Sequence, residues 1–213
     1  MRFYLIKTPR IIKKLFFNYT WCFASKQKEV YLTFDDGPTP KITSFVLDEL
    51  EKYNAKATFF CIGKNIENHP EIFKRIVDEG HTIGNHTQNH FNGWEHTKND
   101  YVINVQRCEE VIGQYTAGIS QKHLFRPPYG KIKRSQAHEL RKKGYQLIMW
   151  DVLSADFDKR VSKEECLRNV MLHTKKGSIV VFHDSVKASE RLCYALPKVL
   201  EKLSKKGFSF KAI

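Results

Sequence analysis

The sequence predicts a single α/β domain whose parallel sheet closes as an incomplete (β/α) barrel. Three observations carry that expectation. Seven β-prone apolar runs alternate with segments of helical periodicity, and such alternation builds a parallel sheet covered by helices. Lys142-Lys143-Gly144, Lys175-Lys176-Gly177 and Lys205-Lys206-Gly207 repeat one device. In it, cations favour the C-terminal end of a helix and glycine takes the left-handed cap before the next strand. The unusual polar residues fall where strands end: Asp35-Asp36, His86 with His90, Arg126, Trp150-Asp151 with Asp156, and His183-Asp184. Sites in barrels of this kind lie at the C-terminal strand ends.

The first strand, Val30-Tyr31-Leu32-Thr33-Phe34, is broken at once by Asp35-Asp36-Gly37-Pro38. Residues 41–53 have helical spacing, with Ile42, Phe45, Val46 and Leu50 on one face and Asn54 as the C-cap. The apolar run 57–62 is the second strand. A helix over 70–79 stacks Ile72, Phe73, Ile76 and Val77 and stops at Gly80, after which 81–83 reads as a short strand. Residues 98–115 form a helix on Tyr101, Val105, Cys108 and Ile112. Leu124-Phe125 is a brief strand leading into Arg126-Pro127-Pro128-Tyr129-Gly130. A helix over 135–143 closes at Gly144, and 145–150 is strand. Ser162 caps a helix running to Thr174, and 179–182 is a wholly apolar strand. The last helix, 188–206, gives way at Gly207 to a strand over 208–210.

Composition bounds the alternatives. A chain of 213 residues that is 41% apolar suits one core. The net charge is +13, and residues 1–28 supply seven lysines and arginines and no acid. That divides the chain into a basic amphipathic N-terminal leader, 1–28, and a domain over 29–213. Phe3-Tyr4-Leu5-Ile6 is too short for the ~7–15-residue apolar core of a cleavable signal. No run reaches the ~18 apolar residues of a membrane span. The expected location is therefore cytoplasmic or membrane-peripheral. Two readings of the leader stay open: a plug packed over the bottom of the domain, or peripheral contact with an anionic membrane through Ile11, Ile12, Leu15 and Phe16 beside Lys13 and Lys14. Five cysteines with no C-x-x-C argue against a disulfide framework. No nucleic-acid partner is expected, because most of the charge outside the leader sits on helix ends and faces. The oligomeric state is not legible.

The chemistry centres on Asp35-Asp36. Two acids buried side by side at a strand end are costly unless a cation is held there. At such a break the backbone can swing, so that both carboxylates enter one cleft with different tasks. His86 and His90, at i and i+4, share one face of a helical turn and can share a metal. With Asp36 they make a two-histidine, one-carboxylate set that leaves a position open for water. Zinc suits these donors, and cobalt, nickel and manganese also fit.

Thr33–Pro38, His86-x-x-x-His90, Arg126-Pro127-Pro128-Tyr129-Gly130, Trp150 with Asp156, and Val181-Phe182-His183-Asp184 resemble, in order, the five motifs of the NodB-like polysaccharide deacetylases, carbohydrate esterase family four. The resemblance covers residues 29–213. It implies a distorted (β/α)7 barrel and metal-dependent removal of N-acetyl groups from amino-sugar polymers or oligomers such as peptidoglycan or chitin-like chains. It implies Asp36, His86 and His90 as metal ligands, Asp35 as general base and Arg126 as its ion-pair partner. The backbone N–H of Tyr129 would face the oxyanion, so that its side chain matters less. His183 would be the general acid, oriented by Asp156, with Asp151 and Asp158 as nearby competitors for that place. Trp150 and Val181 would wall the acetyl slot. Phe157 stands where many members have Trp, and Val181 where Leu is usual, two apolar exchanges that should reshape that slot. The rival readings are an amidase of the same fold acting on a non-polymeric N-acyl substrate, and a glycan-binding module without catalysis.

Overall fold

The computed structural model describes residues 4–116 and 122–213. In chain order the elements are α1 (Arg10–Leu15), β1 (Glu29–Asp35), α2 (Ile42–Glu51), β2 (Thr58–Cys61), α3 (Gly63–Asn68), α4 (Pro70–Asp78), β3 (Thr82–Asn85), α5 (Lys98–Tyr115), β4 (Leu124–Phe125), α6 (Arg134–Lys142), β5 (Gln146–Leu147), β6 (Val152–Leu153), α7 (Lys163–His173), β7 (Ile179–His183), α8 (Ser189–Lys205) and β8 (Ser209–Phe210). The sheet runs β5-β4-β3-β2-β1-β7-β6, parallel throughout, and β8 pairs with the start of β1. This is a parallel sheet curled into an incomplete barrel.

Residue alternation along β1 explains the layering, since neighbouring strand residues face opposite sides. Phe34 stacks between its register partners Phe59 and Phe182, with centroids 5.1 and 6.1 Å away. These rings join the core formed with Leu47, Leu50, Leu196 and Val199 of the flanking helices. The next positions, Thr33 and Asp35, turn to the other side, where both meet Arg126. Ser162 caps α7 as expected, accepting the Glu165 N–H at 3.0 Å. Gly144, Gly177 and Gly207 all take left-handed φ, as the Lys-Lys-Gly device requires.

Three expectations need correction. The sheet has eight strands where seven were counted, because the run over 145–150 supplies only β5 and a further short strand, β6, forms just past its end. Only Gln146–Leu147 stays in the ladder; the carbonyls of Ile148 and Met149 turn inward to accept from Arg126, and the chain re-enters the sheet at Val152. The helix α3, six residues with two buried positions, had no periodic signal. Residues 86–90 are not helical. Their N–H groups are taken instead by side chains and a distant carbonyl: Thr87 N–H by Asn85 Oδ1, Gln88 N–H by Asn104 O and Asn89 N–H by Asn104 Oδ1.

The unpaired flanks of the sheet, β5 and β6, are bridged by the leader. Lys7 pairs with Val152, Thr20 with Ile148 and Cys22 with Ser178. Leu153 N–H donates to Ile6 O at 2.8 Å and Met149 N–H to Thr20 O at 2.7 Å. Lys7 and Lys13 both reach the buried Asp151 carboxylate. Thr20 thus lies against the end of β5 and Cys22 and Phe23 at the start of β7, while Tyr4 reaches the cavity at the far end of β7. Phe3 and Arg2 lie outside the described residues. No helix among the described residues is long and apolar enough to cross a membrane.

Candidate active site

The C-terminal ends of β1, β3, β4 and β7 open onto one cavity of about 480 Å³. Asp35, Asp36, His86, His90, Tyr129, Trp150, Val181 and His183 all line it. Asp35 and His183 are register partners on adjacent strands and so face the same side. Asp36 leaves the strand with φ 83°, which brings the second carboxylate into the same cleft. Its carbonyl is held by Asn65 Nδ2 of α3 at 2.7 Å. Five of the seven non-glycine residues with positive φ among those described, Asp36, Thr87, His90, Tyr129 and Ala155, stand at or beside this cavity. Backbone strain of this kind collects where a site must hold side chains in one arrangement.

Asp36 Oδ1 lies 3.2 Å from His90 Nε2 and 3.7 Å from His86 Nε2, a group that can hold a metal ion. That oxygen is buried and makes no hydrogen bond. A buried carboxylate oxygen without a donor, facing two imidazole nitrogens, fits a cation. Both rings are fixed from behind. His86 Nδ1 donates to the Arg126 carbonyl at 2.7 Å, which sets its tautomer and leaves Nε2 as a lone-pair donor. His90 Nδ1 lies 3.0 Å from the Tyr129 hydroxyl. Burial, the largest influence, lowers the His86 pKa to about 4, so this ring is neutral at physiological pH and available as a ligand. Burial pushes the Asp36 pKa upward, but the imidazoles of His90, His183 and His86 beside it outweigh that and hold the group well below the ordinary carboxylate range.

Asp35 is held by Arg126, which is fully buried. The guanidinium donates to Asp35 Oδ1 at 2.6 Å, Thr33 Oγ1 at 2.7 Å, Met149 O at 3.0 Å and Ile148 O at 3.2 Å, and lies 4.1 Å over the Phe60 ring. Every neighbour fixes its plane, so the Asp35 carboxylate is oriented by a rigid partner.

The competition among the three aspartates of the 151–158 stretch is resolved by geometry. Asp156 accepts from His183 Nδ1 at 2.7 Å through Oδ1 and from the His183 backbone N–H at 2.8 Å through Oδ2. Asp151 lies at the opposite end of the sheet with Lys7 and Lys13, so its expected place in the cleft is corrected. Asp158 pairs with Arg160 and with the Tyr4 hydroxyl. Burial pulls the His183 pKa down, yet Asp156, with Asp36 and Asp35 behind it, pushes it up to about 9. Asp184, expected in the cleft beside His183, instead fastens the loop after Asp36. It accepts from Gly37 N–H at 3.0 Å and Thr43 Oγ1 at 2.5 Å, and burial raises its pKa to about 7.

The remaining wall is apolar: Trp150, Val181, Leu153, Phe157, Pro127 and Tyr4. Gly130 passes so close to Trp150 that an added Cβ would stand 2.7 Å from the ring. The sequence reading missed Tyr4, whose ring meets Phe157 edge-on at 5.3 Å. No local signal marks a residue so far along the chain from every motif. It also missed Leu153, in the uncounted strand β6, and Ser185 and Lys187, which follow a strand end and were legible on that ground. Tyr129 is corrected in one respect: its hydroxyl reaches His90, so the side chain is not indifferent.

Comparison with known proteins places the chain in a family and agrees with the fold. Residues 24–148 match the family model described as polysaccharide deacetylase. A peptidoglycan-N-acetylglucosamine deacetylase of Bacillus cereus is 36% identical over 196 residues, covering 91% of this chain and 70% of the relative. The crystal structure of the Bc1960 peptidoglycan N-acetylglucosamine deacetylase, in complex with a naphthyl N-hydroxybenzamide, superposes with a TM-score of 0.87 at 34% identity, covering 97% of this chain and 95% of that one. The fold also accommodates BA3943 of Bacillus anthracis, described as a pseudoenzyme of family CE4, at 25% identity and a TM-score of 0.80 over 91% of this chain and 66% of that one. The matched model spans more than half of the sequence, and the chain belongs to the polysaccharide deacetylase family.

Proposed function

We propose that the protein is a metal-dependent hydrolase that removes N-acetyl groups from an amino-sugar polymer, with peptidoglycan as the foremost substrate. The convergence of Asp36, His86 and His90 between two carboxylate-fixed groups, Asp35–Arg126 and His183–Asp156, carries this reading. A hydrolase without a metal has no use for an orphaned Asp36 oxygen aimed at two imidazoles. Asp36, His86 and His90 hold the ion; the donor set favours zinc, with cobalt, nickel and manganese also accommodated. When bound, a divalent ion polarises the amide carbonyl and makes water a nucleophile near neutral pH.

The other roles belong to the chain. Asp35, held by Arg126, takes the proton of the attacking water. The backbone N–H of Tyr129 faces the oxygen that becomes negative. His183, kept protonated by Asp156, gives a proton to the departing sugar amine. Trp150 and Val181 wall the slot for the acetyl methyl. The catalytic domain spans residues 29–213, and the 1–28 leader adds Tyr4 to its cavity.

Two substitutions test the assignment. Asp35→Asn is expected to retain metal while losing about 10²–10⁴-fold in acetate release, and His86→Ala to lose both metal and activity. Full turnover by Asp35→Asn on N-acetylglucosamine oligomers overturns the base. Faster acetate release from small N-acyl amides than from oligomers or intact peptidoglycan would transfer the enzyme to the non-polymeric amidase reading.

A further inference from the structure

Half of the large apolar side chains exposed among the described residues come from one stretch of the leader: Leu5, Ile11, Leu15, Phe16 and Phe17. Ile11 and Leu15 are one turn apart on α1, which buries no residue. The stretch is nonetheless firmly seated. Phe16 stacks on Tyr19 at 5.8 Å, the Trp21 indole N–H donates to Phe16 O at 3.0 Å, and Lys13 reaches Asp151. Its apolar side chains are therefore presented outward by a fixed scaffold, with Phe17 at 77% exposure.

Beside them lies a groove of about 310 Å³ between Leu15, Phe16 and Tyr19 on one side and Arg134, His138 and Arg141 of α6 on the other. Arg134 and Arg141 line this groove and Arg10 and Lys14 are exposed on α1 next to Ile11 and Leu15; none of the four forms an ion pair among the described residues, and the leader contains no acid. Protruding Leu and Phe side chains ringed by uncompensated cations, with Tyr and Trp beneath, match the chemistry of a bilayer surface. The apolar tips enter the acyl boundary, the aromatic rings sit at headgroup level, and the cations meet anionic phosphate. A second copy of the chain is a poor occupant, because a symmetric contact would set these four cations against their own equivalents.

We propose that the 10–17 segment and the basic edge of α6 dock this protein onto an anionic phospholipid bilayer. The placement suits the cavity. Lys13 meets Asp151, whose N–H bonds Ile179 O at the start of β7, so α1 sits toward the strand starts, whereas the cavity opens at the strand ends. Docking leaves the mouth facing away from the lipid.

Flotation of the full chain with vesicles of phosphatidylcholine, with and without phosphatidylglycerol, tests this. Strong partition is expected only with phosphatidylglycerol, weakening as salt rises. Leu15→Ser with Phe17→Ser, and separately Arg134→Glu with Arg141→Glu, should each weaken partition about tenfold or more. Acetate release from soluble N-acetylglucosamine oligomers should be unchanged in both, which also shows that the variants fold; Phe17→Ser alone, in an exposed turn, serves if the double variant does not. Equal partition to pure phosphatidylcholine, failure of the chain to partition at all, or parental binding by both variants overturns the proposal. Concentration-dependent dimers that the same substitutions dissolve, without vesicle binding, assign the patch to self-association instead.

Discussion

His183 shows how one contact sets both a protonation state and a stability. Its ring faces the cavity while Asp156 grips the Nδ1 side and the backbone N–H together. The raised pKa, about 9, keeps the proton in place across neutral pH. Because the folded value exceeds the ordinary 6.5, the ion pair stabilises the fold fully below about pH 6.5, and that contribution fades as pH rises through about 9. Asp156→Asn is therefore expected to move the alkaline limb of the kcat/KM profile to lower pH. It should also flatten the difference in Tm between pH 6 and pH 9.5; a profile that does not move removes Asp156 from its orienting role. Tyr129 makes a different point. Its hydroxyl braces His90 from the side away from Asp36. Such outer partners typically contribute about 10–100-fold in metal affinity. Tyr129→Phe, which preserves ring and backbone, should weaken zinc binding by about tenfold in a calorimetric titration. Unchanged affinity would return Tyr129 to a purely backbone role.

Among the elements, those the sequence announced most clearly are the ones whose local signals and tertiary demands agree. The helix over 98–115 and the brief strand 124–125 stand where the periodicity places them, and β7 extends the expected strand by one residue to His183. The strand over 145–150 misled because its β-propensity is real but its carbonyls serve Arg126, a demand that comes from another element. The His86–His90 segment misled for a related reason: spacing of four suggests a helical turn, but Asn85 and Asn104 offer acceptors that a loop can use. The clustering of Asp36, His86 and His90 was legible because chemistry selects residue types; the wall contributed by Tyr4 was not, because nothing near it in the chain marks it. Gly177 links β7 to the leader. At φ 76°, an added Cβ would lie 1.9 Å from Phe23 O, whereas at Gly144, φ 88°, it would meet nothing. Gly144→Ala should cost about 1 kcal/mol by denaturant unfolding, from the backbone conformation alone. Gly177→Ala should cost clearly more, since Phe23 must also move. Equal losses at the two positions would show that the leader yields freely.

At the scale of the whole molecule, the barrel is closed by residues that carry none of the five motifs. Thr8 N–H donates to Asp151 O, Thr20 N–H to Leu147 O and Phe23 N–H to Gly177 O, so three separated points of the leader span the flank between β5 and β6. These contacts are peripheral, while β1 is buried between β2 and β7. Native-state hydrogen exchange should therefore release the amides of Thr8, Thr20 and Phe23 at lower opening free energy than those of Leu32 and Phe34. Simultaneous release would make the leader part of the central cooperative unit. The bridging has a further consequence for how the protein is made. Lys7 and Thr8 are synthesised long before their partners Asp151 and Trp150, which lie more than 140 positions further along the chain. During translation these cationic, apolar residues thus wait without their partners, and the seam seals only once the residues around Asp151 have been synthesised.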